Sequence, residues 1–226
     1  MTQEPFGYLL FDIDGTLLTA KGSGRKAIEN AVSTITCTEW TSSSIRLHGN
    51  TDQAVFEEIH NSIRNLLTDD INTDDLRDMY FEKLQNEFES ENICIPLSGV
   101  PAFLERASSH WNLFLLTGNF RTSAFMKLEK ADISRWFTDG GFGDDAFSRT
   151  EILDNFIRVR GIEKSRCILI GDTPWDAEAA NDCNIPCIGL VSDYFSFHDL
   201  ESCGFTLVYD CINSITNESL RGLIKK

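Results

Sequence analysis

The sequence predicts an α/β fold: a parallel sheet with helices on both faces, plus an inserted α-helical cap. Three observations predict it. Short apolar runs alternate with stretches of helical period in most of the chain, and that alternation implies parallel strands joined by helical crossovers. Three of the runs end in small or acidic residues, as strands do where a parallel sheet binds a ligand at its carboxyl edge. Between the first and second of these runs, helical periodicity dominates.

Taken in order, Tyr8-Leu9-Leu10-Phe11 reads as a short buried strand. It runs into Asp12-Ile13-Asp14-Gly15-Thr16-Leu17. Asp12 and Asp14, two residues apart, leave the strand on the same side, and Gly15 lets the chain turn sharply past them. Like charges held that close require a cation or a proton. A hard divalent ion such as Mg²⁺ meets the requirement, and it usually arrives with substrate phosphate as a further ligand. A carboxylate can also be a nucleophile in phosphoryl transfer, giving an aspartyl-phosphate. By itself the pattern equally suits a plain strand-end turn or a calcium loop.

Residues 19–93 carry the helical stripes. Ala27, Ile28, Ala31, Val32 and Ile35 form one, Val55, Ile59, Ile63, Leu66 and Leu67 a second, and Leu76, Met79, Tyr80, Leu84 and Phe88 a third. Such helices must bury their stripes against each other, so a compact cap over 19–93 is expected, with the core in 1–18 and 94–226. Gly22-Ser23-Gly24 reads as a hinge or a polar linker at its entry. The segment Leu47-His48-Gly49-Asn50-Thr51-Asp52 joins two of its helices, and Thr51 or Asp52 suits the cap of the second.

A second apolar strand, Trp111 onward, ends in Thr117-Gly118-Asn119. The Thr117 hydroxyl and the backbone N–H after Gly118 can donate to phosphate oxygens. A helix is expected over 121–131. In the glycine-rich segment 140–151, Ser148-x-x-Glu151 reads as a capping box, which sets Arg149 at the first helical position. A cation beside helix N-terminal amides makes an anion site. A helix over 150–160 and a strand over 166–170 come next, and the strand ends in Gly171-Asp172-Thr173-Pro174-Trp175-Asp176. Thr173 suits a helix N-cap and Pro174 the first helical position, so Asp172 lies on the turn and Asp176 in the first turn of the helix over 175–182. Strands over 187–190 and 205–208 and a helix over 213–223 close the chain.

Asp-x-Asp-Gly-Thr-Leu, a strand ending Thr-Gly-Asn, and Gly-Asp-Thr-Pro-x-Asp resemble, in their usual order, the first, second and fourth motifs of the haloacid dehalogenase-like hydrolase superfamily. The resemblance spans the chain and implies a Rossmann-like core with a C1-type cap, similar to phosphoglycolate-phosphatase-like members. It implies Mg²⁺-dependent hydrolysis of a small phosphomonoester, with phosphoglycolate or a sugar phosphate as substrate. Asp12 would be the nucleophile and Asp14 the general acid and base. Thr117, Gly118, Asn119 and Arg149 would hold phosphoryl oxygens. Asp12, Asp172 and the carbonyl of Asp14 would hold the metal, with Asp176 orienting them. Gly49-x-Thr51-Asp52, with His48 before it, is similar to the cap element that faces substrate in these relatives. The third motif departs from the family: its usual lysine is absent and Arg149 is the candidate in its place, with Lys127 and Lys130 as rivals. Asp14 disfavours a dehalogenase, which carries no acid there, and the lack of a phosphonatase's second residue disfavours that reaction. A β-phosphoglucomutase-like phosphomutase is the enzymatic alternative, and a non-catalytic phosphate-ligand sensor the alternative of another class.

A net charge of −15 disfavours nucleic acid and anionic membrane surfaces as partners. An anionic substrate must then be attracted locally, by metal and by Arg149. No apolar run approaches transmembrane length, and with the first strand starting within a few residues no signal peptide is expected. Seven scattered cysteines fit reduced thiols, so a cytoplasmic location is expected.

Overall fold

The computed structural model describes residues 4–45, 49–66, 71–89 and 93–224. Its core is a six-stranded, all-parallel sheet. β1 (Tyr8–Phe11) lies between β4 (Asn112–Leu116) and β6 (Cys167–Gly171). Beyond β4 lies β5 (Gly140–Gly141), and beyond β6 lie β7 (Cys187–Leu190) and β8 (Leu207–Tyr209). The register sets Phe11 beside both Leu115 and Ile170. Asp12, Thr117 and Asp172 therefore emerge at neighbouring strand ends, at the point where the strand order switches direction.

Alternation along the strands fills both faces. Leu9 and Phe11 join one apolar cluster with Leu113, Leu115, Ile168 and Ile170, and this cluster continues into the helical insert. Leu10, Leu116 and Leu169 join the other, beneath α6 (Arg149–Arg160) and α7 (Pro174–Asp182). Strands this apolar on both faces need helices on both sides, which is why the sheet is parallel.

The insert is bracketed by a two-stranded antiparallel pair, β2 (Leu18–Thr19) with β3 (Ile95–Pro96). Between them run α1 (Ser23–Thr36), α2 (Asp52–Ile63) and α3 (Thr73–Phe88). Their stripes turn inward as the periodicity requires, with Ile35 and Met79 only partly buried against the core. Leu66 is half exposed, because α2 ends at Ile63 and a single 3₁₀ turn succeeds it. Leu67 lies outside the described residues. The insert meets the core through α3 on α5 (Arg121–Lys130).

Some elements differ from the sequence expectation. β5 is only two glycines and carries no apolar run to reveal it, yet it pairs with Leu115 and Leu116. β2 and β3 are equally short. The helices α4 (Val100–Ser108) and α8 (Phe197–Ser202) are additional to those expected from the pattern. The last helix, α9 (Asn217–Leu223), starts later than 213, because a 3₁₀ turn occupies Ile212–Ser214 and Thr216 then caps the helix. The last strand is likewise shifted from 205–208 to Leu207–Tyr209.

Candidate active site

Three buried carboxylates meet above the sheet. Asp12, Asp172 and Asp176 each offer an oxygen within 4.8 Å of the others. Asp12 leaves β1, Asp172 leaves β6, and Asp176 stands in the first turn of α7. The chain reaches this arrangement through Gly15, whose φ of 86° brings it so close to Asp172 that a Cβ would overlap the carboxylate. Thr16 donates to Asp172 Oδ1 at 3.0 Å, and Asp176 accepts from the backbone and hydroxyl of Thr173 at 3.0 and 2.7 Å. Asp176 thus caps its own helix while facing the cluster.

Burial pushes the Asp12 carboxyl up to about 7; Asp176 and Asp14 add to the rise, and Arg149 opposes it. Burial, with Asp12 and Asp176, also drives Asp172 well above the usual carboxylate range. Carboxylates so placed ionise together only with added positive charge. Their donors are all hard oxygens, a set that suits a small divalent cation.

Arg149 is at the first position of α6, as expected, and Ser148 accepts the Glu151 N–H at 3.2 Å; of the expected capping box, only this Ser148 half is formed among the described residues. Its guanidinium bonds Asp176 and stands 3.6 Å from Asp12. Its Nε is buried and, among the described residues, has no hydrogen-bond partner. A buried charged donor without an acceptor is costly unless an anion arrives to accept from it.

Asp14 points elsewhere. Its Oδ2 accepts from Lys127 Nζ at 2.5 Å and from Asn119 Nδ2 at 2.8 Å. Lys127 also donates to Asn119 Oδ1 at 2.8 Å, and Asn119 donates to Thr117 Oγ1 at 2.9 Å. Burial alone would raise Asp14, but Lys127 and Asn119 hold it below the usual range. Lys127 in turn is raised by Asp14 against the opposing effect of its own burial. The two adjacent acids therefore occupy opposite settings: Asp12 lies among carboxylates and Asp14 against an ammonium.

In the sequence Lys127 stands only as a rival to Arg149, yet both cations reach the site, on different carboxylates. A signal for Lys127 exists: it shares the buried stripe of α5 with Ser123, Ala124 and Leu128, where an unpaired lysine would be expensive. Lys130 is exposed.

The loop before α2 rests on the same strand ends. Gly49 packs against the ring of Trp175. Thr51 caps α2, accepting from Ala54 N–H at 3.3 Å, and its hydroxyl donates to the Phe147 carbonyl at 3.2 Å. Asp52 Oδ2 accepts from Phe120 N–H at 2.8 Å. Burial lifts Asp52 to about 6, with Lys127 and the Phe120 N–H opposing the rise. His48 lies outside the described residues.

Comparison with known proteins bears on the family and the fold. Among curated proteins no sequence matches significantly. Among solved structures, CbbY from Rhodobacter sphaeroides in complex with phosphate is similar at TM-score 0.72 and 15% identity, over 95% of this chain and 98% of that one. A mutant of CbbY, in complex with xylulose 1,5-bisphosphate, is similar at TM-score 0.70 and 15% identity, over 95% and 98% of the two chains. A predicted phosphoglycolate phosphatase from Haemophilus somnus 129PT is similar at TM-score 0.67 and 15% identity, over 91% and 94%. At these identities the likeness concerns the fold. The family profile of haloacid dehalogenase-like hydrolases matches residues 9–190, a span that runs from β1 through the insert to β7 and holds every carboxylate and cation described above. With the sheet order, the acidic strand ends and this match in agreement, the chain belongs to the haloacid dehalogenase-like hydrolase family.

Proposed function

We propose that this protein is a Mg²⁺-dependent phosphatase that hydrolyses a small phosphomonoester, phosphoglycolate or a sugar phosphate, through an aspartyl-phosphate on Asp12. The observation that carries the reading is the opposite setting of the two adjacent acids, one facing Arg149 and its fellow carboxylates, the other facing Lys127 and Asn119. Neighbouring carboxylates with separated environments are the usual sign of divided catalytic labour.

Asp12, Asp172 and the carbonyl of Asp14 would hold the metal, with Asp176 orienting them. When bound, Mg²⁺ neutralises the carboxylates and the charge of the phosphoryl group. The rest of the chemistry belongs to side chains. Asp12 attacks phosphorus in line with the ester oxygen. Arg149 donates to equatorial oxygens, and its unpartnered Nε supplies a donor for one of them. Thr117 and the amides around Gly118 and Asn119 hold the others. Asp14 gives its proton to the departing alkoxide and then takes one from the attacking water. The Lys127 contact favours the ionised form, so the acid form depends on an arriving phosphate dianion to raise the proton affinity of Asp14. The insert over 19–93 serves as a cap, a role supported by the seating of its 49–52 loop beside Gly118, Phe147 and Trp175.

The test is release of inorganic phosphate from p-nitrophenyl phosphate and a panel of small phosphate esters. Turnover should require Mg²⁺ and cease in EDTA; undiminished activity in metal-free buffer refutes the mechanism, and no activity on any ester refutes the function. Product analysis separates transfer to water from transfer to a second sugar hydroxyl, the phosphomutase outcome.

Asp14→Asn should slow an alkyl ester by about 10²–10⁴-fold, the usual contribution of a general acid–base group. With p-nitrophenyl phosphate, whose leaving group needs little protonation, phosphoenzyme should still form. An equal loss on both esters in single-turnover measurements would remove the acid role.

A further inference from the structure

The helix that carries Lys127 does not cap itself. The N-cap of α5 is Phe120, whose side chain offers no acceptor. The first free donors of a helix must be satisfied from somewhere. Here two carboxylates reach in from outside: Asp144 accepts from Arg121 N–H, and Asp52 accepts from Phe120 N–H at 2.8 Å and from the Ser123 hydroxyl at 3.4 Å. Asp144 belongs to the core, but Asp52 belongs to α2 of the insert.

The contact is reinforced on both sides. The Asp52 N–H donates to the Gly118 carbonyl at 2.7 Å. Gly118 has no side chain to obstruct this approach, and a Cβ there would lie 2.8 Å from the Asn50 carbonyl. The Phe120 ring is held by Phe56 of α2 at 5.1 Å and Phe81 of α3 at 5.9 Å, both edge-on. One residue before Asp52, Thr51 ties the same helix end to Phe147, just ahead of Arg149. The start of α2 thus grips both loops that deliver positive charge to the site.

We infer that Asp52 is a positioning residue: its carboxylate caps α5 across the insert–core boundary, so that the Thr117–Asn119 loop and Lys127 reach working geometry only while the insert is docked. The inference rests on the phosphatase reading for its kinetic consequence, though not for its structural one. It gives Asp52 a task other than reading the substrate, served by its Oδ2, which accepts from the core.

The experiment uses the full chain with Asp52→Ala, Asp52→Asn and Asp52→Glu, assayed on p-nitrophenyl phosphate at saturating Mg²⁺, with amide hydrogen exchange monitored over 117–130. A misplacement of about 1 Å can cost around 10²-fold in rate, so Asp52→Ala should lower kcat by about 10–100-fold with KM little changed. Exchange at the start of α5 should accelerate in the same variant. Asp52→Asn keeps an acceptor in place and should recover most of kcat and protection. Asp52→Glu keeps the charge, displaces the acceptor and should resemble Asp52→Ala, which preserves the test if the alanine variant does not fold. Wild-type kcat in Asp52→Glu, a change in KM alone, or unchanged exchange at 117–123 overturns the proposal. If the unmodified chain hydrolyses no phosphate ester, the phosphatase reading fails, and hydrogen exchange alone still decides whether Asp52 caps α5.

Discussion

Asp12→Asn should lower kcat by about 10⁴–10⁶-fold, the range seen when a covalent nucleophile or its partners are removed. An amide cannot take up the phosphoryl group under these conditions, so no acid-stable phosphoenzyme should accumulate. The substitution is nearly isosteric, and Asp12 is buried where ionisation is penalised, so the fold should persist. A second readout separates lost chemistry from lost structure. Mg²⁺ stabilises the native state by binding it, and part of that stabilisation depends on the Asp12 carboxylate. The rise in Tm on adding Mg²⁺ should therefore shrink in Asp12→Asn while the metal-free Tm is maintained. Substantial turnover in this variant would end the case for covalent catalysis at this position.

Arg149→Ala should reduce kcat/KM by about 10²–10³-fold, the cost of removing one preorganised charge-stabilising contact, roughly 2.7–4 kcal/mol. The guanidinium does two things at once: it bonds Asp176 and it approaches Asp12 at 3.6 Å. Removing it leaves three buried carboxylates with one fewer compensating charge, so the variant should also depend more steeply on Mg²⁺ concentration. Arg149→Lys should recover part of the loss and not all of it. A single ammonium supplies charge, but it cannot span both carboxylates and still present a further donor to phosphate. Near-normal kinetics in Arg149→Ala would move the phosphate-binding role to Lys127. That residue stands on the other acid, so the two alternatives predict opposite variants to be inactive.

Local pattern is enough to specify the sheet, its helical partners and the acidic strand ends. The pattern consists of apolar runs four or five residues long, helical stripes, and turn chemistry at Gly15 and at Thr173-Pro174. The Ser148 N-cap likewise sets Arg149 at its helix start from four adjacent residues. The expectation weakens where an element has no pattern of its own. β5 is two glycines, and β2 and β3 exist only because they pair with each other across the insert.

How the charges are shared depends on the folded arrangement. Along the chain Arg149 and Lys127 look like rivals for one position, because spacing says nothing of which carboxylate each will meet. In the fold they are partners, Arg149 on Asp12 and Asp176, Lys127 on Asp14. The part played by Asp52 is equally hidden: along the chain it reads as a cap of its own helix or as a residue facing substrate. Its acceptor instead serves Phe120, 68 residues further along the chain. Local patterns encode burial and turns, whereas the pairing of buried charges depends on which strand ends and helix ends the sheet order brings within a few ångströms.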